Sequence, residues 1–265
     1  MFQRRALGIV RAAVALLMGC GGADEVGELG EETDSGHESE ALHWSYDGEA
    51  GPERWGELGS EFAACAVGEQ QSPIDIPSAI APGPLRALRF DYAPAPATIM
   101  NNGHTVQVAL AEGASELTID GEPYSLLQFH FHAHSEHAVG GRHAPLEMHL
   151  VHRAAHGGLA VIGVFLEPGA AHLALSPVFD RMSVVGAEPE SLPADLDPAE
   201  LLPTSTDGWA YSGSLTTPPC TEGVKWHLLS SVVEISDTQL GHFTAKHESS
   251  RRPLMVNTSP ITSGN

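Results

Sequence analysis

The decapeptide Gln128-Phe-His-Phe-His-Ala-His-Ser-Glu-His137 constrains this chain more than any other stretch. His130 and His132 are separated by one residue, with Leu126, Leu127, Phe129 and Phe131 around them. In a β-strand, residues i and i+2 share a face, so the alternation predicts both imidazoles on one side and both phenyl rings buried on the other. The next apolar run, Leu146 to His152, sets His149 in alternation with Glu147 and Val151. Gly140, Gly141 and Pro145 lie between the runs and suit an antiparallel return. Three neutral imidazoles on adjacent strands, with a fourth position open, form the ligand set of a catalytic zinc site. The chain carries 15 histidines, and a lone His-x-His also fits a solvent face or a loose metal-scavenging tract. On the tract alone, His134 and His137 are surface residues or alternative ligands.

The N-terminus has the form of a targeting segment. Arg4, Arg5 and Arg11 supply positive charge, and Ala12 to Met18 a short apolar core, too short to span a bilayer. Leu17-Met-Gly-Cys20 resembles the lipobox of bacterial lipoproteins, in which the cysteine is lipidated; an ordinary secretory signal is the alternative. Either reading exports the protein, to the periplasm or cell envelope, with a lipid anchor on Cys20 in the first case. Gly21 to Glu40 holds eight Asp or Glu and no Lys or Arg, a composition expected to stay disordered and to serve as a self-repelling tether. The expected division is a signal at 1–19, a tether at 20–40 and one folded domain at 41–265.

Against 13 Lys and Arg stand 34 Asp and Glu, a net charge of −21, which argues against nucleic acid as a partner. With Cys20 lipidated, Cys65 and Cys220 remain as an even pair in an oxidising compartment. A bridge is expected, worth up to about 5 kcal/mol in the chain-entropy model; two buried thiols are the alternative. Leu85 to Tyr92, Ala97 to Ala109 and Glu116 to Asp120 read as short strands between turn clusters, and Leu159 to Leu166 and Val224 to Ile235 as longer apolar strands. Leu173 to Val185 predicts a helix limited to short turns by Pro177, and Ser236 to Gln239 a capping box before a helix ending near Lys246. The domain is mainly β.

The ordered set of motifs resembles the α-class carbonic anhydrases. It runs from His43-Trp44 through Gln71-Ser-Pro-Ile-Asp-Ile76, Asn101-Asn-Gly-His104, Gln128 to His132, Ser135-Glu-His137 and Glu147 to His152, to Gly213-Ser-Leu-Thr-Thr-Pro-Pro-Cys220 and Val224-Lys-Trp226. The resemblance covers essentially the whole domain. It implies one large twisted, mostly antiparallel sheet with short peripheral helices, and a Cys65–Cys220 disulfide like that of secreted members. It further implies one zinc per chain on His130, His132 and His149, with Gln128 and Glu147 orienting the first and third. The implied reaction is reversible hydration of carbon dioxide to bicarbonate and a proton, by attack of zinc-bound hydroxide. Thr216 matches the gatekeeper that accepts the hydroxide's hydrogen bond after giving its own proton to Glu136. Val151, Val161, Leu215, Thr217, Val224 and Trp226 match the substrate pocket. His104 matches the proton shuttle, and Tyr46, Asn102 and Gln107 the groups ordering water on its path. Ala133 departs from the pattern, standing where many animal members have tryptophan.

Two other readings compete. His130-x-His132-x-x-x-Glu136 matches much of the first cupin motif, but Tyr124 occupies the position of its glycine and no second motif is evident. A lipoprotein that captures zinc, or an inactive scaffold, is the non-enzymatic reading; inactive scaffolds usually lack one ligand imidazole, whereas all three are present here.

Overall fold

The computed structural model describes residues 43–80, 83, 86–182, 184 and 186–264. The expected signal and tether, Cys20 included, lie outside the described residues. Fourteen strands occur among them: β1 (Asp75–Ile76), β2 (Leu88–Asp91), β3 (Ala97–Asn101), β4 (Val106–Leu110), β5 (Glu116–Ile119), β6 (Glu122–His132), β7 (Ala138–Val139), β8 (Arg142–His143), β9 (Leu146–Arg153), β10 (Leu159–Pro168), β11 (Glu190–Ser191), β12 (Gly208–Ser214), β13 (Glu222–Ile235) and β14 (Thr262–Ser263). The helices α1 (Trp55–Leu58), α2 (Ala64–Val67), α3 (Ser176–Met182) and α4 (Asp237–Thr244) are short. None of the described helices is long and apolar enough to cross a membrane.

Eleven strands form one sheet along the path β11-β3-β4-β6-β9-β10-β13-β12-β14, with β5 on β6 and β2 on β5. Its pairings are antiparallel except β10 with β13. The predicted long strand from Ala97 divides into β3 and β4, because Asn102 Oδ1 accepts the backbone N–H groups of His104 and Thr105 and closes a turn. The residues between β6 and β9 do not make one simple return. Gly140 and Gly141, at φ 57° and 76°, turn β7 into β8, and β7 pairs with β1 in a separate three-stranded sheet.

Strand alternation divides the side chains as expected. Phe129, Phe131, Met148, Leu150, Ile162 and Val164 face the main core, under Val178, Phe179 and Met182 of α3 and Phe243 of α4. Both phenyl rings are fully buried, each contributing roughly 2 kcal/mol or more. The predicted helix from Leu173 shortens to α3. Leu173 is 83% exposed and has nothing to bury, and Pro177, lacking an N–H, fits only a first turn. The capping box at Ser236 forms as predicted, ahead of α4.

Candidate metal centre

The β6–β9 register sets His130 opposite His149 and His132 opposite Glu147. With side chains alternating, all three histidines project from one face. One nitrogen from each ring lies within 4.8 Å of the other two. The second nitrogen of each ring is held. His130 Nδ1 is 2.9 Å from Gln128 Oε1, His132 Nδ1 2.6 Å from the Ser250 carbonyl, and His149 Nε2 2.8 Å from Glu147 Oε1. Those oxygens only accept, so each ring donates there and turns a lone pair inward: His130 Nε2, His132 Nε2 and His149 Nδ1. Burial, reinforced by the neighbouring imidazoles, holds the His130 pKa well below its usual value. Burial lowers that of His132 too, with Glu136 pulling the other way. His130 and His132 are thus neutral at neutral pH, as imidazole donors to a metal must be.

A divalent cation fits this donor set. His132 Nε2 and Glu136 Oε2 are buried with no hydrogen-bond partner among the described residues, an arrangement that costs on the order of 1–3 kcal/mol per group when nothing satisfies it. Glu136 Oε2 stands 3.5 Å from His132 Nε2 and 3.9 Å from His149 Nδ1. Inward lone pairs beside a carboxylate repel one another unless positive charge lies between them. Three imidazoles are the donors of a tetrahedral zinc site with one position left open.

His137 is neither a surface residue nor a free ligand. It is fully buried, with Nδ1 2.8 Å from Glu147 Oε1 and Nε2 2.7 Å from the Tyr211 hydroxyl. The Tyr211 hydroxyl in turn lies 2.7 Å from Ser72 Oγ, which extends the chain of hydrogen bonds from Glu147 through His137 and Tyr211 to Ser72. His137 N–H also donates to Glu147 Oε2. Burial alone would raise the Glu147 pKa, but His137 and His149 beside it hold it well below the carboxylate range. The second ligand-like group, His137, Glu147 and His149, is therefore already committed to internal hydrogen bonds. Gly163 lies opposite His149, and a Cβ there would meet Leu228 Cδ2 at 2.5 Å and Glu147 Oε1 at 3.1 Å. His134 is exposed.

Thr216 lies in the loop after β12, 5% exposed. Leu215 N–H donates to the Thr221 carbonyl and Cys220 N–H to that of Thr217. The Cys65–Cys220 disulfide, closing 155 residues of separation, fastens the loop's end. The expected hydrogen bond from Thr216 to Glu136 is not formed: Glu136 Oε1 accepts from Arg252 N–H at 2.9 Å, and Oε2 faces the imidazole nitrogens instead. Val161, Val224 and Trp226 are buried in one apolar cluster, joined by the half-buried Val151 and Leu215. Trp226 closes on the imidazole trio, its ring 4.8 Å from that of His149. Thr217 is half-buried.

His104 is half-buried and stacks on Trp44, with ring centroids 3.6 Å apart and planes 8° from parallel. Burial and then His43 lower its pKa. Tyr46 packs edge-on between His104 and His132, at 6.4 and 6.5 Å. Gln107 pairs across the strands with His130. Asn102 is exposed and its oxygen serves the turn. The sequence reading missed the Ser250 carbonyl, the His137–Tyr211–Ser72 chain and Arg252. Only His137 left a signal, as a histidine inside the tract.

Residues 50–264 match the family model described as eukaryotic-type carbonic anhydrase. A carbonic anhydrase of Klebsiella pneumoniae is 43% identical over 216 residues, 81% of this chain and 87% of that one. One from Neisseria gonorrhoeae is 39% identical, covering 80% and 84%. The structure of the α-carbonic anhydrase of Thermovibrio ammonificans with the inhibitor sulfanilamide superposes with a TM-score of 0.81 at 39% identity, over 84% of this chain and all of that one. The sheet, the imidazole trio and these likenesses agree: the chain belongs to the α-class carbonic anhydrase family.

Proposed function

We propose that this chain is a zinc enzyme that reversibly hydrates carbon dioxide to bicarbonate and a proton. The observation that carries the reading is the convergence of three ring nitrogens within 4.8 Å, with a buried, unpartnered Nε2 among them. His130, His132 and His149 would hold the ion. Zinc supplies Lewis acidity that brings the ionisation of a coordinated water towards neutral pH, an effect for which carbonic anhydrase is itself the standard example.

The chain's own residues do the rest. Gln128, Glu147 and the Ser250 carbonyl fix the ring tautomers. Glu136, held at Oε1 by Arg252 N–H, leaves Oε2 without a partner, and that oxygen is the acceptor the Thr216 hydroxyl would reach by turning towards it. Thr216, once its own proton is given to Glu136, has an oxygen that accepts only, which orients a reactant bearing a proton and rejects ligands without one. Its backbone N–H is a donor for charge developing on the substrate oxygen. The apolar patch of Val151, Val161, Leu215, Val224 and Trp226 admits a neutral, nonpolar substrate and releases a charged product. His104 takes the proton outward; burial and His43 hold its pKa below the usual imidazole value, so the ring releases the proton readily to buffer. The lipobox-like segment and the Cys65–Cys220 bridge support an exported, lipid-anchored enzyme.

Stopped-flow hydration on protein of measured zinc content tests this reading. One zinc per chain, activity proportional to zinc and inhibition by a sulfonamide are expected. A fully zinc-loaded protein without hydration activity overturns it.

A further inference from the structure

Arg252 is where the carboxylate, the disulfide and the Thr216 loop meet. The residue is 1% exposed. Nη1 donates to Gln71 Oε1 and to the Ser72 carbonyl, both at 2.8 Å, and Nη2 to the Cys65 carbonyl at 2.9 Å. It also lies over the Trp55 ring, 5.7 Å from its centroid. Each of its hydrogen-bond acceptors is a carbonyl or an amide oxygen. A buried cation held this way is costly unless every donor is met, and only a planar fork reaches these acceptors together.

The partners of Arg252 reach both ends of the Thr216 loop. Gln71 Nε2 donates to the Cys220 carbonyl at 3.1 Å, at the far end. Ser72 N–H donates to Ser214 Oγ at 2.9 Å, and Ser214 N–H returns a bond to Ser72 Oγ at 3.1 Å, at the near end. The Cys65 carbonyl belongs to the disulfide that fastens Cys220. The backbone N–H of Arg252 holds Glu136 Oε1. One residue therefore grips the carboxylate through its main chain and the loop through its side chain.

We propose that Arg252 is a positioning residue of the reaction, setting the separation and alignment of Glu136 and Thr216, an inference that rests on the zinc-enzyme reading above. Burial lowers its pKa to about 10, with Glu136 pulling the other way, so the fork stays charged at neutral pH. Its side chain hydrogen-bonds to Gln71, Ser72 and Cys65, and not to the three imidazoles or to their partners Gln128, Ser250 and Glu147. What loosens on its replacement is the placement of the Thr216 loop relative to Glu136, so ligands that donate a proton to Thr216 suffer and simple anions do not.

The test compares the zinc-loaded, disulfide-bonded full chain with its Arg252→Met, Arg252→Lys and Gln71→Met variants. Three quantities are read: zinc content, kcat/KM for hydration, and the affinities of a sulfonamide, which carries an N–H donor, and of thiocyanate, which carries none. Arg252→Met is expected to keep one zinc, to lose kcat/KM by ~10- to 100-fold, to weaken the sulfonamide by a similar factor and to leave thiocyanate unchanged. Arg252→Lys and Gln71→Met should follow in the same direction with smaller effects, and they decide the matter if Arg252→Met does not fold. Unchanged kcat/KM, or equal weakening of both ligands, overturns the proposal. Should the zinc-loaded wild type fail to hydrate carbon dioxide, the functional reading falls, while the ratio of the two affinities still judges Arg252.

Discussion

Strand β9 carries one histidine on each face of the sheet, and their fates differ. His149 projects to the ligand side, with Nε2 anchored on Glu147 and Nδ1 turned towards two further imidazoles. His152, three residues on, projects to the opposite side. There it meets the Tyr92 hydroxyl at 2.6 Å through Nε2, and its Nδ1 has no partner among the described residues. His227 on β13 is likewise buried with an unpartnered Nε2. His149, His152 and His227 are all buried, so burial does not make the site. Convergence does, together with an acceptor behind each ring that fixes which nitrogen faces inward.

The largest effect expected from breaking this contrast is at His149. His149→Ala should abolish both zinc binding and hydration, whereas His152→Phe should leave zinc content at one per chain; metal analysis beside stopped-flow rates separates the two faces. A retained, tightly held zinc in active His149→Ala would remove the ligand assignment. Next comes the anchor behind the ring. Glu147→Gln should weaken zinc by ~10- to 100-fold, read as faster metal loss to a chelator. Gln128→Ala should do less, because Glu147 serves both His149 and His137 and Gln128 only His130.

A smaller and conditional effect is expected at the proton path. His104→Ala should lower kcat by about tenfold or more in dilute buffer, leave kcat/KM unchanged and recover with added imidazole. Equal loss in concentrated buffer would mean that His104 supports the fold and not the transfer.

The weakest effect on the reaction belongs to the opposite face, whose histidines act on acid stability instead. Burial lowers the pKa of His152 to about 3 and that of His227 to about 4, from 6.5. The groups acting on them besides burial are the Ala160 and Leu150 carbonyls and His227 for His152, and Arg86, Asp120 and Lys225 for His227. The unfolded chain therefore binds up to two more protons between those values. Stability contributed by these neutral rings is complete above about pH 6.5, falls by at most about 2.7 kcal/mol per pH unit between roughly pH 6 and 4, and levels off below about 3. His227→Leu should shift the acid-unfolding midpoint, followed by circular dichroism, to lower pH; an unmoved midpoint contradicts the role given to this ring.

What the sequence made legible follows from how far apart the partners lie. His130, His132, Gln128, Glu147 and His149 were readable because a period of two places residues on a shared face without any knowledge of the fold. Phe129 and Phe131 were readable for the same reason. The Ser250 carbonyl lies 118 residues from His132, Tyr211 lies 74 from His137, and Arg252 lies 187 from Cys65. No local pattern marks such partners, and a main-chain carbonyl has no residue signature at all. The Thr216-to-Glu136 contact came from resemblance alone, and there the structure departs from it, with Oε1 committed to Arg252 N–H. The helix near Leu173 was overdrawn because apolar residues were counted without knowing which had a surface to cover.

X-ray absorption at the zinc edge of the full-length, metal-loaded chain tests the central claim most directly. Three imidazole nitrogens and one oxygen, all at about 2.0–2.1 Å, are the result this account predicts. A sulfur ligand, a shell of carboxylate oxygens or fewer than three imidazoles would contradict it.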